Sequence, residues 1–177
     1  MKLLLHICCA PCLIYPLERL RAENFEVIGF FYNPNIHPFS EYNNRRKAVE
    51  DFSRAIKLEV IYPEYNPAQY FQVVNFKEDD SSRCPICWEL RLRQTALAAK
   101  EKGWGYFSTT LLASPYQDQG LLQGIAEHIE EEENVNFYYE DFRPGFRQAH
   151  QEAKARGIYC QKYCGCLYSM KPRLTQR

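Results

Sequence analysis

Eight cysteines in a chain of 177 residues are the side chains best placed to do chemistry. They fall in three groups: Cys8, Cys9 and Cys12; Cys84 and Cys87; and Cys160, Cys164 and Cys166. In a reducing compartment so many thiols are poor candidates for structural disulfides, which leaves metal ligation or redox catalysis. Cys8 and Cys9 are adjacent, so on a straight strand they would point to opposite faces. Pro11 commits the chain to leave by a helix, which bends the backbone at this point and brings Cys12 within about one turn of the corner. Cys84 and Cys87 form a C-x-x-C, whose spacing sets both sulfurs on one side of a helix start, where free N–H groups and the helix dipole favour thiolates. Cys8, Cys9, Cys84 and Cys87 together offer four thiolates, enough for a closed zinc site or a cubane iron-sulfur cluster.

Counting sulfurs does not separate zinc from iron and sulfide. The third group favours redox chemistry. In Cys164-Gly165-Cys166 the glycine permits an unusual backbone conformation, and a disulfide across one residue closes a small strained ring, which raises its reduction potential. The plainer readings stay open beside these: a CC pair can be two small buried hydrophobes, and the tail thiols two further ligands or buried groups.

The elements that must position these residues alternate. Lys2 to Ile7 reads as a buried strand, followed by a helix from Pro11 to about Arg21, and Glu26 to Tyr32 as a second strand ended by Asn33-Pro34-Asn35. A helix from an N-cap at Ser40 carries Tyr42, Val49, Phe52 and Ile56 at helical spacing, and Leu58 to Tyr62 is a third strand. Pro67 to Phe76 reads as helix and Lys77 to Arg83 as a polar loop. A helix from Pro85 to Lys102 follows, then a strand at Tyr106 to Thr110, a helix from Tyr116 to Glu132 and a strand at Val135 to Tyr139. The expected fold is therefore α/β: a single domain over residues 1–177, with a mainly parallel sheet, helices on both faces and ligand sites at the strands' carboxyl ends. After Asp141 the pattern changes to a helix from Phe146 to Arg156 and a short cysteine-bearing tail, so residues 142–177 read as a helix and redox tail packed on that domain.

Composition bounds the function. Lys plus Arg and Asp plus Glu both number 22, so no overall positive field announces nucleic acid, and any RNA contact must come from a local patch. The C-terminal third supplies one, in Arg143, Arg147, Lys154, Arg156, Lys162, Lys171, Arg173 and Arg177, with the acidic run Glu130 to Glu133 facing elsewhere. No stretch of about 20 apolar residues is present, and the opening apolar run is too short for a signal peptide, so a soluble, cytoplasmic protein is expected. Thr109, Thr110, Ser114, Tyr116 and Gln117 follow a strand and precede a helix, where they either contact a phosphate or base or serve as ordinary caps. His6 reads as a packed core histidine, His37 as a loop residue that could reach the site, and Asp141 as the cap of a following turn.

Five motifs in order, CCAPC at Cys8 to Cys12, YNPNIHP at Tyr32 to Pro38, RCPIC at Arg83 to Cys87, TTLLASPYQ at Thr109 to Gln117 and YCGC at Tyr163 to Cys166, resemble the QueH family of epoxyqueuosine reductases. The resemblance implies a fold of the HUP, or adenine-nucleotide hydrolase-like, group. It also implies cobalamin-independent reduction of epoxyqueuosine to queuosine in the anticodon of tRNA. Carried onto matching positions, it implies a 4Fe-4S cluster on Cys8, Cys9, Cys84 and Cys87 and a redox-active pair in Cys164 and Cys166. A second, mononuclear iron is implied beside the cluster, with Cys12 as its candidate ligand, together with an electron donor that the sequence does not identify. Two positions depart from the family pattern: Cys160 stands in place of an arginine of the tail motif, which opens the pairing of the tail thiols, and His150 in place of a small residue. An adenylating tRNA-modifying enzyme on a similar scaffold is disfavoured because the first turn, CCAPC, lacks the glycines of a phosphate loop. A non-enzymatic zinc module would leave the C-x-C tail without a purpose.

Overall fold

The computed structural model describes the backbone of residues 1–174 and the side chains of residues 1–79 and 81–170. Its strands are β1 (Lys2–His6), β2 (Glu26–Phe30), β3 (Val60–Ile61), β4 (Tyr106–Thr109) and β5 (Asn136–Phe137). Its helices are α1 (Ala10–Ala22), α2 (Phe39–Ala55), α3 (Ala68–Val74), α4 (Asp80–Glu101), α5 (Gln119–Glu133), α6 (Phe146–Ala155) and α7 (Leu167–Leu174). The strands form one parallel sheet in the order β3-β2-β1-β4-β5. β1 is central because its run Leu3-Leu4-Leu5 is fully buried, as a parallel strand covered on both faces must be.

Right-handed crossovers send α1 and α2 to one face of the sheet and α4 and α5 to the other. α1 packs on α2 and α6, and α4 on α3 and α5. The chain leaves β1 toward β2 but enters β4 on the opposite flank, so the carboxyl ends of β1 and β4 diverge into a crevice of the kind where α/β folds hold their ligands. His6 and Thr109 are register partners at that point. Gly145, just before α6, lies so close to Tyr15 of α1 that a β-carbon would fall inside the tyrosine ring. That close approach sets α6 beside the crevice.

The expected α/β architecture is present, with several boundaries moved. β3 and β5 are two residues each, since an edge strand has a neighbour on one side only and stops where that pairing ends. α2 begins at Phe39, with Pro38 rather than Ser40 as its N-cap. α5 begins at Gln119, where the Asp118 carboxylate accepts from the Leu121 N–H at 3.0 Å, leaving Tyr116 and Gln117 in the preceding turn. α4 starts at Asp80 instead of Pro85, because the Ser82 and Arg83 N–H groups donate to the Asp79 carbonyl and add a turn. Cys84 and Cys87 therefore sit inside the helix rather than at its N-terminus. α7 occupies part of the segment read as a short cysteine-bearing tail. Among the cations singled out above, Arg177 and the side chains of Lys171 and Arg173 lie outside the described residues. Among the described residues, no helix is long and apolar enough to cross a membrane.

Candidate active site

The floor of the crevice is a buried polar hub. His6, wholly inaccessible, has its Nδ1 2.9 Å from the Thr109 hydroxyl, and its Nε2 faces the Tyr32 carbonyl at 3.2 Å and Asn33 Oδ1 at 3.3 Å. Because Asn33 spends its amide N–H on the Ile7 carbonyl at 2.8 Å, Nε2 meets two acceptors and carries the proton, while Nδ1 accepts from Thr109. Burial, followed by the nearby Arg91 charge, pulls the pKa down to about 4, so the ring is neutral at neutral pH. His6 thus ties the ends of three adjacent strands together directly beneath the first cysteines, as a core histidine should.

Above it, the sulfurs of Cys8, Cys9 and Cys12 all lie within 4.8 Å of one another, and this trio has the geometry to hold a metal ion. The Cys8 and Cys9 sulfurs are 3.7 Å apart, close to the edge of about 3.8 Å that Zn–S bonds of ~2.3 Å give in a tetrahedral site. The Thr110 hydroxyl accepts from the Cys8 N–H at 3.0 Å and donates to its sulfur at 3.3 Å, which locks the strand-to-helix corner. Hydrogen bonding from Cys12, then Cys9, holds the Cys8 thiol well below the usual range. Burial pushes Cys9 up, and the Cys8 contact pushes Cys12 up. Thr109 and Thr110, read as possible substrate contacts, are buried and shape this corner instead.

The second pair stands on α4. Cys87 is buried in a small cluster with Tyr70, Val74 and Cys166, and Cys84 is half-buried against the main core. The favourable helix-start environment expected for these thiols is absent, because the pair sits too far inside the helix. Burial pushes Cys87 up to about 12, with Arg91 pulling the other way. Arg91, one turn on, is 2% exposed; its Nε donates to the Cys87 carbonyl at 3.1 Å, and its Nη2 has no hydrogen-bond partner.

The tail closes the site from above. Arg45, 1% exposed, donates from Nε to Glu41 at 2.7 Å and from its two terminal nitrogens to the carbonyls of Cys164 and Tyr163, both at 2.9 Å. Glu41 accepts in turn from the Tyr159 hydroxyl, and the Tyr163 hydroxyl donates to the His37 carbonyl. The His37 N–H donates to Gly165 at 2.8 Å. His37 itself is buried and stacks on Phe71, so it anchors the tail rather than reaching the crevice. Gly165 adopts φ +141, and a β-carbon there would crowd Ile36, Arg45 and Asn35 at 3.2–3.3 Å, so glycine is required. The turn parts its neighbours: Cys164 is exposed toward the crevice, and Cys166 is buried against Tyr70 and Cys87. Burial alone would raise Cys166, but hydrogen bonds from Ser169 and Tyr70 bring it below the ordinary thiol range. None of the eight cysteines forms a disulfide.

These segments enclose a cavity of about 930 Å³ that touches Cys8, Cys12 and Cys164. Arg147, Lys154 and Lys162 line it, with Tyr116, Phe146 and His150 at its lip. Phe146 and His150 face each other with ring centroids 4.1 Å apart, and Tyr116 stands edge-on to Phe146 at 6.1 Å.

A family model described as "Epoxyqueuosine reductase QueH" matches residues 3–172. The chain belongs to the QueH family of epoxyqueuosine reductases. It is 39% identical over 178 residues to the epoxyqueuosine reductase QueH of Thermotoga maritima, covering 96% of this chain and 91% of that one. It is 40% identical over 169 residues to the QueH of Dehalococcoides mccartyi, covering 95% and 92%. Among solved structures, a predicted subunit of tRNA methyltransferase from Methanocaldococcus jannaschii superposes with a TM-score of 0.58 at 10% identity, over 87% of this chain and 74% of that one. That is a likeness of fold alone.

In this QueH chain the structure brings Cys8, Cys9 and Cys12 together as one close group and sets Cys87 and Cys166 together as another. Cys164 lines the cavity beside Cys8 and Cys12. Cys160 is not among the cavity residues; its thiol donates to the Ile158 carbonyl at 3.4 Å. Of the cations proposed for RNA, Arg143 is paired with Asp141 at 2.7 Å and Arg156 with Glu152 at 2.7 Å, and neither lines the cavity. Asp141 also accepts from the Arg143 N–H at 3.0 Å, as expected for a turn cap. The acidic run is engaged by α4, with Glu132 on Arg93 at 2.6 Å and Glu133 on Lys100 at 3.3 Å. Sequence reasoning missed Arg45, Arg91 and Gln161, whose amide donates to the Cys9 sulfur at 2.9 Å. The one available signal was the position of Arg91 four residues after Cys87, on the same helix face.

Proposed function

We propose that this chain reduces the epoxide of epoxyqueuosine to the alkene of queuosine within tRNA, with a metal group held on its cysteines and the Cys164 and Cys166 pair as dithiol. The observation that carries this reading is that a single cavity is lined by thiols from distant parts of the chain, Cys8 and Cys12 from the first turn and Cys164 from the tail, together with cationic and aromatic side chains. The donor set suits an anionic metal group. A buried guanidinium without an acidic partner is costly, and around Arg91 the neighbouring groups that can carry negative charge include the thiols of Cys8, Cys87 and Cys164. Cys8, Cys9, Cys84 and Cys87 would hold a 4Fe-4S cluster and Cys12 would serve a second, mononuclear iron. When bound, these groups supply one-electron transfer and Lewis acidity.

In the reaction both epoxide C–O bonds break, a C=C bond forms and the oxygen departs as water, which consumes two electrons and two protons. Closing Cys164 and Cys166 into a disulfide releases two electrons and two protons, and an external reductant restores the dithiol. Gly165 gives that pair the backbone freedom to meet, and Arg45 keeps Cys164 facing the substrate. The modified base enters the cavity, a flanking base stacks on Tyr116 or the Phe146 and His150 pair, and Arg147, Lys154 and Lys162 meet the phosphates. Residues 142–177 act as the working arm on the α/β domain, and the number of thiols supports a cytoplasmic location.

The test is anaerobic purification followed by iron and sulfide analysis and an assay on epoxyqueuosine-containing tRNA. Brown protein that bleaches with dithionite and forms queuosine supports the reading, with turnover lost in both Cys164→Ser and Cys166→Ser. Colourless, zinc-loaded and inactive protein overturns it in favour of a zinc module. Binding should also fall steeply with salt. The double variant Arg147→Ala with Lys154→Ala should weaken tRNA binding and lower the salt slope by about 2, roughly one unit per phosphate contact. An unchanged slope in filter-binding titrations would remove this lip from the interface.

A further inference from the structure

Arg91 is the one fully enclosed charge in the site that the proposed reaction does not use. Its guanidinium is 2% exposed, donates once, to the Cys87 carbonyl at 3.1 Å, and has an Nη2 with no partner. Arg45, equally buried, meets a carboxylate and two carbonyls. No salt bridge is formed by Arg91 among the described residues, whereas Arg93, two residues on, pairs with Glu89, Glu132 and Glu133. Removing a guanidinium from water is costly unless an anion compensates it. Arg91 lines the cavity together with Cys8, Cys12 and Cys164 and is bonded to the Cys87 carbonyl, so it borders all three cysteine-bearing segments.

We infer that Arg91 is a positioning residue that serves as the fixed counter-charge of the metal group, making its reduced state easier to reach. This rests on the proposed function, because it presupposes a redox-active group on these cysteines. The physical reason is simple: an added electron makes the group more negative, and a cation held nearby in a poorly screened interior stabilises the reduced state more than the oxidised one. Lysine would preserve the sign of the charge, and methionine would preserve bulk without it.

The experiment is a redox titration of anaerobically reconstituted wild type, Arg91→Met, Arg91→Gln and Arg91→Lys, followed by visible absorption, with iron, sulfide and thermal melting measured on each. Glutamine retains a donor for the Cys87 carbonyl and guards against simple loss of fold in the methionine variant. The expected result is full iron content in the neutral variants, with the reduction equilibrium shifted roughly tenfold toward the oxidised state. For a one-electron couple that is a midpoint about 59 mV more negative. The lysine variant should stay near wild type. Loss of iron from the neutral variants but not from lysine would also support the counter-charge. Two results would overturn it: neutral variants loaded at the wild-type potential, or a lysine variant that folds yet behaves like methionine. Failure of wild type itself to load iron would instead strike the proposed function.

Discussion

Cys8→Ser should remove iron binding and turnover together, and Cys160→Ser should change neither. Cys8 is the sulfur through which the first group is organised: it lies within 4.8 Å of both Cys9 and Cys12, receives the Thr110 hydroxyl at 3.3 Å and lines the cavity. It is also the thiol of the three that hydrogen bonding from Cys12 and Cys9 pulls below its usual range. Serine keeps the shape of the corner but replaces a soft thiolate with a hydroxyl that stays protonated and binds iron weakly. Altering groups that merely orient a ligand typically costs 10–100-fold in affinity or activity, so loss of a ligand should exceed about 100-fold in turnover. Cys160 is a suitable control, since its thiol is spent on the Ile158 carbonyl and does not border the cavity. Iron and sulfide analysis beside a single-turnover assay checks both halves; an iron-replete, active Cys8→Ser protein would disprove the ligand assignment.

Arg45→Ala has the largest expected cost in stability. It strands the Glu41 carboxylate in a buried site and takes the donors from the Tyr163 and Cys164 carbonyls at the same time. Breaking one side of a buried ion pair costs about 3–5 kcal/mol, and urea unfolding should show a loss of that order. None of the Arg45 hydrogen bonds reaches Cys8, Cys9 or Cys12, so iron should still bind while turnover collapses, because Cys164 is no longer held over the cavity. Arg45→Lys should recover only part of both, as one ammonium cannot span the Glu41 carboxylate and two carbonyls with the planar fork of arginine. Equal loss of iron and turnover in Arg45→Ala would show that the tail and the metal site are a single structural unit.

Much of this was legible in the chain itself. The Leu3-Leu4-Leu5 run followed by CCAPC marked a central strand that ends in a cysteine corner, and alternation of strand and helix signals gave the parallel sheet. The start of α4 was misread because Asp79, Asp80, Ser81 and Ser82 look like a polar loop, although aspartate before a serine-rich turn is also how a helix begins. α7 is short and contains Pro172, so its pattern was too weak to assert. Glu41 and Arg45 have the i, i+4 spacing of an ordinary surface pair. They are buried only because Tyr159 and Tyr163, more than a hundred residues later, settle on them, and no local pattern encodes that. Arg91 was hidden for a similar reason: within a run of good helix formers an arginine reads as solvated, and its burial depends on three segments converging.

The hydrogen bond from Gln161 to Cys9 joins residues 152 positions apart. At a synthesis rate of about 5–20 residues per second, the first cysteines would leave the ribosome roughly 8–30 s before the segment that covers them. For that interval the nascent chain presents three clustered thiols with no lid, open to stray zinc and to oxidants. Whatever delivers the proper metal must either reach them during translation or displace an earlier occupant afterwards, so the yield of active protein depends on timing as well as on affinity.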